Sequence, residues 1–564
     1  MDIEAKARAV RRTLRELILR GHPLVFAYSS GKDSSTVLSL GLEELRALRG
    51  QRPDIAFPPT LVLMADTTVE NPEIAQYARA EIGRIQQFAA AHHIDVRVGV
   101  SVPNLNDTWA VRTISGRSLP RFPGQSHDCT EDWKVKPMGR LRKRMLAEIV
   151  GDWAEPVTLT GTRYDESRAR GKKMTARGER ATEVWRNKEG GAMLSPIAEW
   201  SDDDVWEYLG QMRATPGRSY SDFTDTFAIY ASAAGASCAV VADMMLGSKP
   251  KNACGARFGC AVCTLSREDK SLVNMIESDG KYGYLRELNR LQRFLLATQY
   301  DMSRRSWLGR TLTNQHMAVG PDRYSPAMLD ELLCYALSID RAEAEASRLL
   351  GIDARFQLIG LEQLVLIDAL WSRDGIHRPF HALKRYREVY LEGAHYAVPV
   401  LPKAPDIAIP PRRWLYVGDN WDEGQRFFDS GLSNPLLEAF AGDGCCRKHV
   451  SGKDGTAYLD IEVADTITVD PEGASLVLEL ELEGLIAAYH DNPSVSRTAG
   501  YRYYLDLGVL ALKKGAHAEV DAILRRTAFF ERNGYLDLAN WQDILPRTIG
   551  NPWPDRAGQQ ELLL

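Results

Sequence analysis

Cysteine is scarce in this sequence, and that scarcity excludes one class of protein. The chain has 8 cysteines among 564 residues, which is too few for a fold held together by disulfides. Long apolar runs are missing too, so no segment is predicted to cross a bilayer. The first 22 residues form an amphipathic helix pattern without the apolar core of a signal peptide. We therefore expect a cytoplasmic protein with no membrane partner.

An excess of charge of one sign is also absent. Lysine and arginine number 70 against 75 aspartate and glutamate, giving a formal net charge of -5. The whole chain therefore shows no global sign of nucleic-acid affinity, and any such surface must be local. At 564 residues the chain exceeds the size of one compact core, so several domains are expected.

The first informative stretch combines a buried strand, a polar turn and a helix start. Leu24–Tyr28 is apolar, Ser29–Ser35 is rich in Ser and Gly, and helical periodicity runs from Ser34 to about Leu48. Amide groups at a helix start attract anions, and small side chains let a phosphate approach. A Walker loop would need glycine five residues before Gly31, and none is present. The pattern predicts a phosphate-binding loop of another type.

Three further strands alternate with helical segments. They are predicted at 60–65, 94–100 and 156–160. This alternation indicates an α/β fold with a doubly wound parallel sheet. Because ligands of such sheets bind at the carboxyl ends of the strands, Asp66 and the segment 161–170 should converge with Ser29–Ser35.

The remainder of the chain gives weaker signals. Ser201 or Asp202 is predicted to cap a helix, and helices are expected to continue to about residue 395. A proline-rich passage from Val398 marks a boundary. Alternating apolar residues within 456–481 predict strands, and helix returns from 501 to 532, so we expect an additional α+β C-terminal region.

Three cysteines are spaced as ligands of one metal centre. Cys254, Cys260 and Cys263 form a C-x5-C-x2-C pattern, and Cys238, sixteen residues earlier, is a candidate fourth ligand. Four thiolates suit Zn²⁺ or an iron–sulfur cluster, and ligand type alone does not choose between them.

Cys129 stands apart, in a polar setting. His127 and Lys134 lie close to it in sequence, and such cations lower a thiol pKa. The following segment, 134–144, carries only basic charges, which suits either a phosphate path or a solvated helix face.

These motifs, in this order, resemble the DndC family, PAPS-reductase-like PP-loop proteins of bacterial DNA phosphorothioation to which SspD-like proteins are related. The resemblance covers roughly residues 10–315. It rests on the following segments: Ser29–Ser35, Asp66, Asn106–Trp109, Asp128–Thr130 with Lys134, Gly161–Arg163, Pro196–Trp200, Cys254–Thr264 and Asp269–Ser271. Ser30 departs from the family, in which glycine is usual at that position.

The resemblance implies an ATP pyrophosphatase and sulfurtransferase that uses ATP, Mg²⁺ and a [4Fe-4S] cluster. DNA, a cysteine desulfurase as sulfur donor and other proteins of the modification system would be its partners. The residues expected to bind the nucleotide are Tyr28, Ser29, Ser30, Gly31, Lys32, Asp33, Ser34, Ser35, Asp66, Gly161 and Arg163. Lys32, Asp33 and Cys129 are the expected catalytic residues, and Cys238, Cys254, Cys260 and Cys263 the expected cluster ligands, with Cys129 as the alternative to Cys238.

On this interpretation the chain has four segments: a PP-loop domain at 1–235, a cysteine-rich cluster and helical region at 236–330, a helical region at 331–397 and a C-terminal region at 398–564. The predicted function is adenylation of a DNA backbone phosphate for sulfur insertion. A sulfonucleotide (APS or PAPS) reductase is the main alternative, although Cys445–Cys446 follows the Cys260-x-x-Cys263 pair instead of preceding it. A tRNA thiolase and a nucleotide-binding scaffold without catalysis are further alternatives.

Overall fold

The computed structural model describes residues 2–120, 128–234, 259–265, 268–419, 421, 432, 448–450, 457–459, 461–538 and 541–553. The chain divides into two compact units. The first unit comprises Met1–Pro103 and Ser126–Asn289, and the second comprises Asn104–Gln125 and Arg290–Leu564. This division differs from the four predicted segments, because residues 104–125 belong to the second unit and the first unit extends to residue 289.

The first unit alternates strands and helices, as its sequence predicts. Its strands are β1 (Leu24–Tyr28), β2 (Thr60–Ala65), β3 (Val96–Ser101), β4 (Val157–Leu159), β5 (Trp185–Arg186) and β6 (Ala192–Leu194). Its helices are α1 (Ile3–Leu19), α2 (Lys32–Gln51), α3 (Pro72–Ala91), α4 (Lys136–Ala147), α5 (Arg168–Arg177), α6 (Asp202–Ala214), α7 (Thr224–Ala234) and α8 (Lys270–Ser278). Short turns at Asp128–Thr130 and Glu131–Val135 lead into α4.

The strands form one six-stranded sheet in the order β3-β2-β1-β4-β6-β5. All neighbours are parallel except β5 and β6, which form an antiparallel pair. Chain order reverses at β1, which pairs with β2 on one side and β4 on the other. The loops after β1 and β4 therefore flank the switch point where ligands of such sheets bind.

Side chains of β1 alternate between two cores, which makes the sheet doubly wound. Leu24, Phe26 and Tyr28 pack in a core that includes apolar residues of α1, α2, α3 and α6. Val25 packs on the opposite face with Leu141 of α4 and other residues. A parallel strand covered on both faces is apolar along its length, which explains the uninterrupted Leu24–Tyr28 run.

The helices α3 and α6 both begin with a side-chain cap. The Asn71 side chain accepts from Glu73 N at 3.0 Å and caps α3, with Pro72 in its first turn. Ser201, and not Asp202, caps α6 through a capping box with Asp204. Asp202 is thereby the first residue of that helix, and its side chain is available for another role.

The second unit combines helices with small sheets. Its helices are Trp109–Ile114, Pro326–Leu350, Leu361–Arg373, His381–Tyr386, Pro471–Leu476, Leu482–Leu485, Ala499–Asp506 and His517–Arg532, and Arg286–Ala297 carries the chain into it. Its strands are Arg305–Thr313, His316–Tyr324, Arg413–Tyr416, Lys448–Val450, Ala457–Leu459, Val463–Ala464, Thr468–Val469 and Leu510–Lys513. The first three of these strands form an antiparallel sheet, with Trp307, Met317, Leu415 and Phe529 in its core.

Three predictions for this unit were wrong, one of them because the strand Leu510–Lys513 interrupts the helix predicted over 501–532. Residues 305–324 form a β-hairpin and not a helix, since Asn314 and Gln315 both adopt positive φ (46° and 62°), the conformation of a two-residue hairpin turn. Residues 476–481 are helical and not a strand. Pro471 and the Asp470 cap start this helical segment, and burial of Ala474, Val477, Leu482 and Leu485 follows helical spacing.

Among the helices that the structure describes, none is long and apolar enough to span a membrane.

Candidate functional site

The loop between β1 and α2 has a conformation that glycine usually supplies. Ser30 has a φ of 54°, in the left-handed region that most residues avoid. Its hydroxyl donates to the Ser29 carbonyl at 2.7 Å, a local hydrogen bond that helps serine to hold this turn. The substitution of serine for the usual glycine therefore leaves the backbone of the loop in a glycine-like conformation.

Hydroxyl groups fix the remainder of the loop. Ser34 Oγ donates to the Gly31 carbonyl at 3.0 Å and accepts from Ser29 N at 3.2 Å. Gly31 occupies the N-cap of α2 and offers no side-chain cap. Gly31 therefore leaves the first-turn amides without an N-cap side chain, as an anion site requires, although Lys32 N donates to the Tyr230 hydroxyl at 3.4 Å.

The loop after β4 approaches this helix start closely at Gly161. A Cβ atom on Gly161 would lie 2.8 Å from both Asp33 C and Ser34 N, which are backbone atoms. Only glycine fits there without a backbone shift. Because Gly161 has no side chain, the two loops at the switch point can approach each other closely.

Four charged residues form a buried network behind the loop. Arg163 Nε donates to Asp33 Oδ1 and Arg163 Nη2 donates to Asp202 Oδ1, both at 2.7 Å. Lys32 Nζ lies 3.1 Å from Asp33 Oδ2 and 3.0 Å from Asp202 Oδ1. Trp206 Nε1 donates to the second oxygen of Asp202 at 3.2 Å. The two cations and two carboxylates hold one another in place.

The electrostatics of this network keep both cations charged. Burial disfavours the ammonium of Lys32, but Asp33 and Asp202 together with Tyr230 outweigh it and raise the Lys32 pKa above its usual value. The Arg163 pKa is raised in the same way: burial opposes the charge, and Asp33 and Asp202 overcome it. A lysine charged and positioned before any ligand binds suits a phosphate group.

A cavity of about 1080 Å³ opens over this network within the first unit. Most of the predicted nucleotide residues line it: Tyr28, Ser29, Ser30, Gly31, Lys32, Asp33 and Arg163. Ser34, Ser35, Asp66 and Gly161 are not among the lining residues. Asp66 instead accepts from Thr68 N at 2.7 Å, and the wall beside it is formed by Met64 and Ala65.

Three cysteines line the same cavity. They are Cys129, Cys260 and Cys263. Cys260 is paired with Glu70 through a β-bridge, and Ala261 N donates to the Val69 carbonyl at 2.8 Å. These backbone bonds bring the cysteine segment to the loop that follows β2, where Cys260 lines the same cavity as Ser29–Asp33.

The described thiols influence one another. Burial raises the Cys129 pKa, and the charge of Cys263 raises it further. Burial raises the Cys260 pKa to about 11, against the opposing field of Lys134. Lys134 donates to Glu70 Oε1 at 3.1 Å and its own pKa is raised, since Glu70 and Cys260 outweigh burial. The expectation that cations lower the Cys129 pKa does not hold in this arrangement.

The cluster ligands can be located only in part. Cys238 and Cys254 lie outside the described residues. Within the part of the chain that the structure describes, no group of three or more His, Cys, Asp or Glu side chains is placed to hold a metal ion.

Sequence reasoning missed the role of Asp202. Its only sequence signal is membership of an acidic triplet at a helix start, which is typical of a cap. Its pairing with Lys32 and Arg163 depends on how α6 packs against α2, which no local pattern reveals.

Comparison with known proteins agrees with this geometry. Residues 23–217 match the family model described as the phosphoadenosine phosphosulfate reductase domain. Sulfate adenylyltransferase subunit 2 of Burkholderia lata is 23% identical over 212 residues, 35% of this chain and 60% of that protein. Phosphoadenosine 5'-phosphosulfate reductase of Xanthomonas axonopodis pv. citri is 31% identical over 168 residues, 29% of this chain and 55% of that protein. The chain thus spans less than two thirds of the length of these two relatives.

Two similar solved structures were found. The U34-tRNA thiolase NcsA from Methanococcus maripaludis with its [4Fe-4S] cluster has 13% sequence identity and a TM-score of 0.24, covering 43% of this chain and 76% of that one. FMN adenylyltransferase of Candida glabrata has 15% identity and a TM-score of 0.22, covering 38% and 58%. By sequence, residues 23–217 of this chain are similar to the phosphoadenosine phosphosulfate reductase domain.

Proposed function

We propose that the first unit is an ATP-dependent sulfurtransferase that activates an oxyanion by adenylation and replaces one of its oxygens with sulfur. The observation that carries the proposal is a shared cavity: the phosphate loop Ser29–Asp33 and the thiols of Cys129, Cys260 and Cys263 line it together. A nucleotide bound at the loop would place its α-phosphate in the same cavity as sulfur chemistry. Proximity of this kind is a large part of catalysis.

The loop residues have distinct roles in this proposal. The α2 amides and the Lys32 ammonium would hold the pyrophosphate of ATP, and its departure would be favoured by the positive potential there. Arg163 and Asp202 position Lys32. Both oxygens of Asp33 are already engaged, by Arg163 and Lys32, so Mg²⁺ would enter with the nucleotide, mainly on phosphate oxygens and water.

The cysteines of the cavity would carry out the sulfur-transfer part of the reaction. Cys260 and Cys263, with Cys254 and either Cys238 or Cys129, would hold the proposed [4Fe-4S] cluster, since thiolates are its usual ligands. The cysteine thiols that line the cavity would fit such a group once they are deprotonated as its ligands. When bound, the cluster would supply a site that binds or relays sulfide. Cys129 is the residue that we assign to sulfur handling.

We further propose that the oxyanion is a DNA backbone phosphate, as the DndC resemblance implies. A non-bridging phosphate oxygen attacks the α-phosphorus of ATP and pyrophosphate leaves. Sulfur carried as a persulfide by a cysteine desulfurase attacks the activated DNA phosphorus, and the oxygen leaves with AMP. A second thiol then cleaves the sulfur–sulfur bond to the donor, and an external thiol reduces the resulting disulfide. Other proteins of the modification system would present the DNA.

A sulfonucleotide reductase is the second candidate, favoured by the family model over residues 23–217. The two candidates differ in products. A reductase releases sulfite from APS or PAPS and needs no ATP, whereas the proposed enzyme releases pyrophosphate and AMP from ATP.

The proposal is tested by anaerobic purification of the full chain, followed by visible spectroscopy, iron and sulfide analysis, and assays for pyrophosphate release, sulfite release and sulfur incorporation into DNA. Cys129→Ser and Cys260→Ser are compared with Cys334→Ala, a cysteine buried in the second unit that serves as the matched control. We expect a brown protein that releases pyrophosphate, with Cys260→Ser losing iron and Cys129→Ser losing sulfur transfer. A colourless zinc protein would overturn the cluster assignment, and sulfite release from PAPS would favour the reductase.

A further inference from the structure

Four arginine side chains from separate elements of the second unit lie around one buried carboxylate, and a fifth lies beside two of them. Arg310 and Arg323 lie on the two strands of the 305–324 hairpin, and Arg373 ends the helix Leu361–Arg373. Arg526 lies on the helix His517–Arg532, and Arg117 follows the helix Trp109–Ile114. We call these five residues the arginine cluster.

The carboxylate at the centre is Asp374, which is 5% exposed. Arg373 Nη2 donates to its Oδ2 at 2.8 Å, and Arg526 Nη2 donates to its Oδ1 at 3.2 Å. Both of its oxygens are therefore used by two members of the cluster. The positive charges of Arg373, Arg526 and Arg310 hold the Asp374 pKa down at about 2 against the effect of burial.

The hydrogen-bonding capacity of the cluster exceeds what the surrounding residues satisfy. Arg323 is only 6% exposed, yet its Nε has no hydrogen-bond partner in the described part of the chain. The Nε atoms of Arg373 and Arg526 also have no hydrogen-bond partner among the described residues. Buried donors without acceptors are costly and rare in native proteins.

Negative charge is in short supply as well. Asp107, Asp322 and Glu519 also act on members of the cluster, but Asp322 already pairs with Arg412 at 3.1 Å. Burial lowers the pKa of Arg117 and that of Arg526 to about 10, and repulsion from neighbouring arginines, Arg373 and Arg310 among them, adds to it. A guanidinium ordinarily stays charged in proteins, so these shifts indicate that an anion would stabilise the group.

We propose that the arginine cluster is a binding site for a phosphate-bearing ligand, separate from the nucleotide loop of the first unit. Guanidinium groups match phosphate oxygens in pairs, and arginine is preferred over lysine where such paired contacts are made. Arg117 and Arg310 are partly exposed, so an anion has access from solvent, while Arg323 provides the buried donors. The ligand phosphate belongs either to a free nucleotide or to a nucleic-acid strand.

The test uses hydrogen–deuterium exchange of the full-length protein, because this method locates binding within the chain. The probes are inorganic pyrophosphate, ATP, and single- and double-stranded oligodeoxynucleotides. We expect protection of segments 305–324, 361–375 and 517–532, weakening as salt rises. Protection by pyrophosphate and ATP but not by oligonucleotides identifies a nucleotide site, and protection by oligonucleotides at lower concentration identifies a strand site.

The side chains of Arg310 and Arg117 are partly exposed, so their replacement by glutamine should leave the fold intact. Arg310→Gln and Arg117→Gln should each weaken the binding about tenfold. Arg348→Gln is the charge-matched control, since Arg348 lies exposed on the helix Pro326–Leu350. Lys32→Ala should abolish ATP turnover in the first unit and leave this protection intact, which separates the two proposals. No protection by any probe, or equal protection in Arg310→Gln, Arg117→Gln and wild type, would overturn the inference and assign the cluster a purely structural role.

Discussion

Arg163 Nε donates to Asp33 Oδ1 at 2.7 Å, although the two residues are 130 positions apart in sequence. The Arg163 side chain is 1% exposed, so the pair is shielded from solvent on its cationic side. It joins the loop after β4 to the first turn of α2, the two segments that flank the sheet switch point. Breaking a buried pair of this kind leaves one charge uncompensated, which costs more than the pair itself contributes.

Asp202 should prove to be a positioning residue for Lys32. Asp202→Asn keeps the shape of the side chain but removes the charge that faces Lys32 and Arg163, so the lysine loses part of its fixed position. We expect pyrophosphate release to slow by about tenfold or more, mainly through kcat. Asp203→Asn is the control, because Asp203 is exposed in the same helical turn. Equal losses in the two variants would assign the effect to the helix and not to Lys32.

Gly161→Ala should damage the nucleotide site by steric overlap. The new methyl group would lie 2.8 Å from backbone atoms of Asp33 and Ser34, and relieving such overlap costs about 1–3 kcal/mol. We expect weaker ATP binding by calorimetry and a lower melting temperature. Gly210→Ala, in α6 with nothing within 4 Å of the added Cβ, should leave both unchanged or slightly raise stability. Unaltered ATP binding in Gly161→Ala would contradict the close approach.

Ser30→Gly tests the position at which this loop departs from the DndC pattern that it resembles. Glycine relieves the cost of the left-handed conformation, about 1–2 kcal/mol, and loses a hydrogen bond worth about 1 kcal/mol, so stability should change little. Ser30→Val, a β-branched residue without the hydroxyl, should destabilise the protein by about 2 kcal/mol and weaken ATP binding. Urea unfolding and calorimetry measure the two quantities. A valine variant as stable as the glycine variant would refute the strained conformation.

His377 should make the second unit sensitive to acid. Its Nε2 lies 3.1 Å from the Pro326 carbonyl and its ring stacks on His381 at 4.3 Å. Burial, with the charge of His381, lowers the His377 pKa from 6.5 to about 3. The unfolded chain therefore binds a proton between pH 6.5 and 3 that the folded chain does not. Stability should fall as pH falls through this window, by about 1.4 kcal/mol per pH unit.

Urea unfolding at several pH values between 7 and 4 measures that slope. His377→Gln, which keeps a donor for the carbonyl and cannot titrate, should lose this part of the pH dependence even if it is less stable overall. His395→Gln is the control, since His395 is exposed in the same unit. A slope that is the same in His377→Gln and wild type would show that other groups cause it.

Local patterns were sufficient for four of the six strands of the sheet. The apolar strands β1, β2 and β4 and the cap of α6 appear as predicted, because burial on both sheet faces and unpaired helix amides impose their own residue types. The hairpin 305–324 was missed because its turn uses Asn314 and Gln315 instead of glycine. In addition, apolar and polar residues do not alternate regularly along its strands. The 471–490 helical segment was missed because its apolar residues are irregularly spaced, and such spacing fits the period of a helix as well as that of a strand.

The sequence by itself determined the loop between β1 and α2, the strands β1 to β4 behind it and the identity of the thiol residues, since each depends on neighbours within a few positions. The tertiary structure alone decided which distant side chains meet. It paired Asp202 with Lys32, placed Gly161 against the backbone of Asp33, brought Cys129, Cys260 and Cys263 to one cavity, and gathered arginines from four elements around Asp374. The physical reason is that charge pairing and close packing act through space, and spacing along the chain carries no record of them.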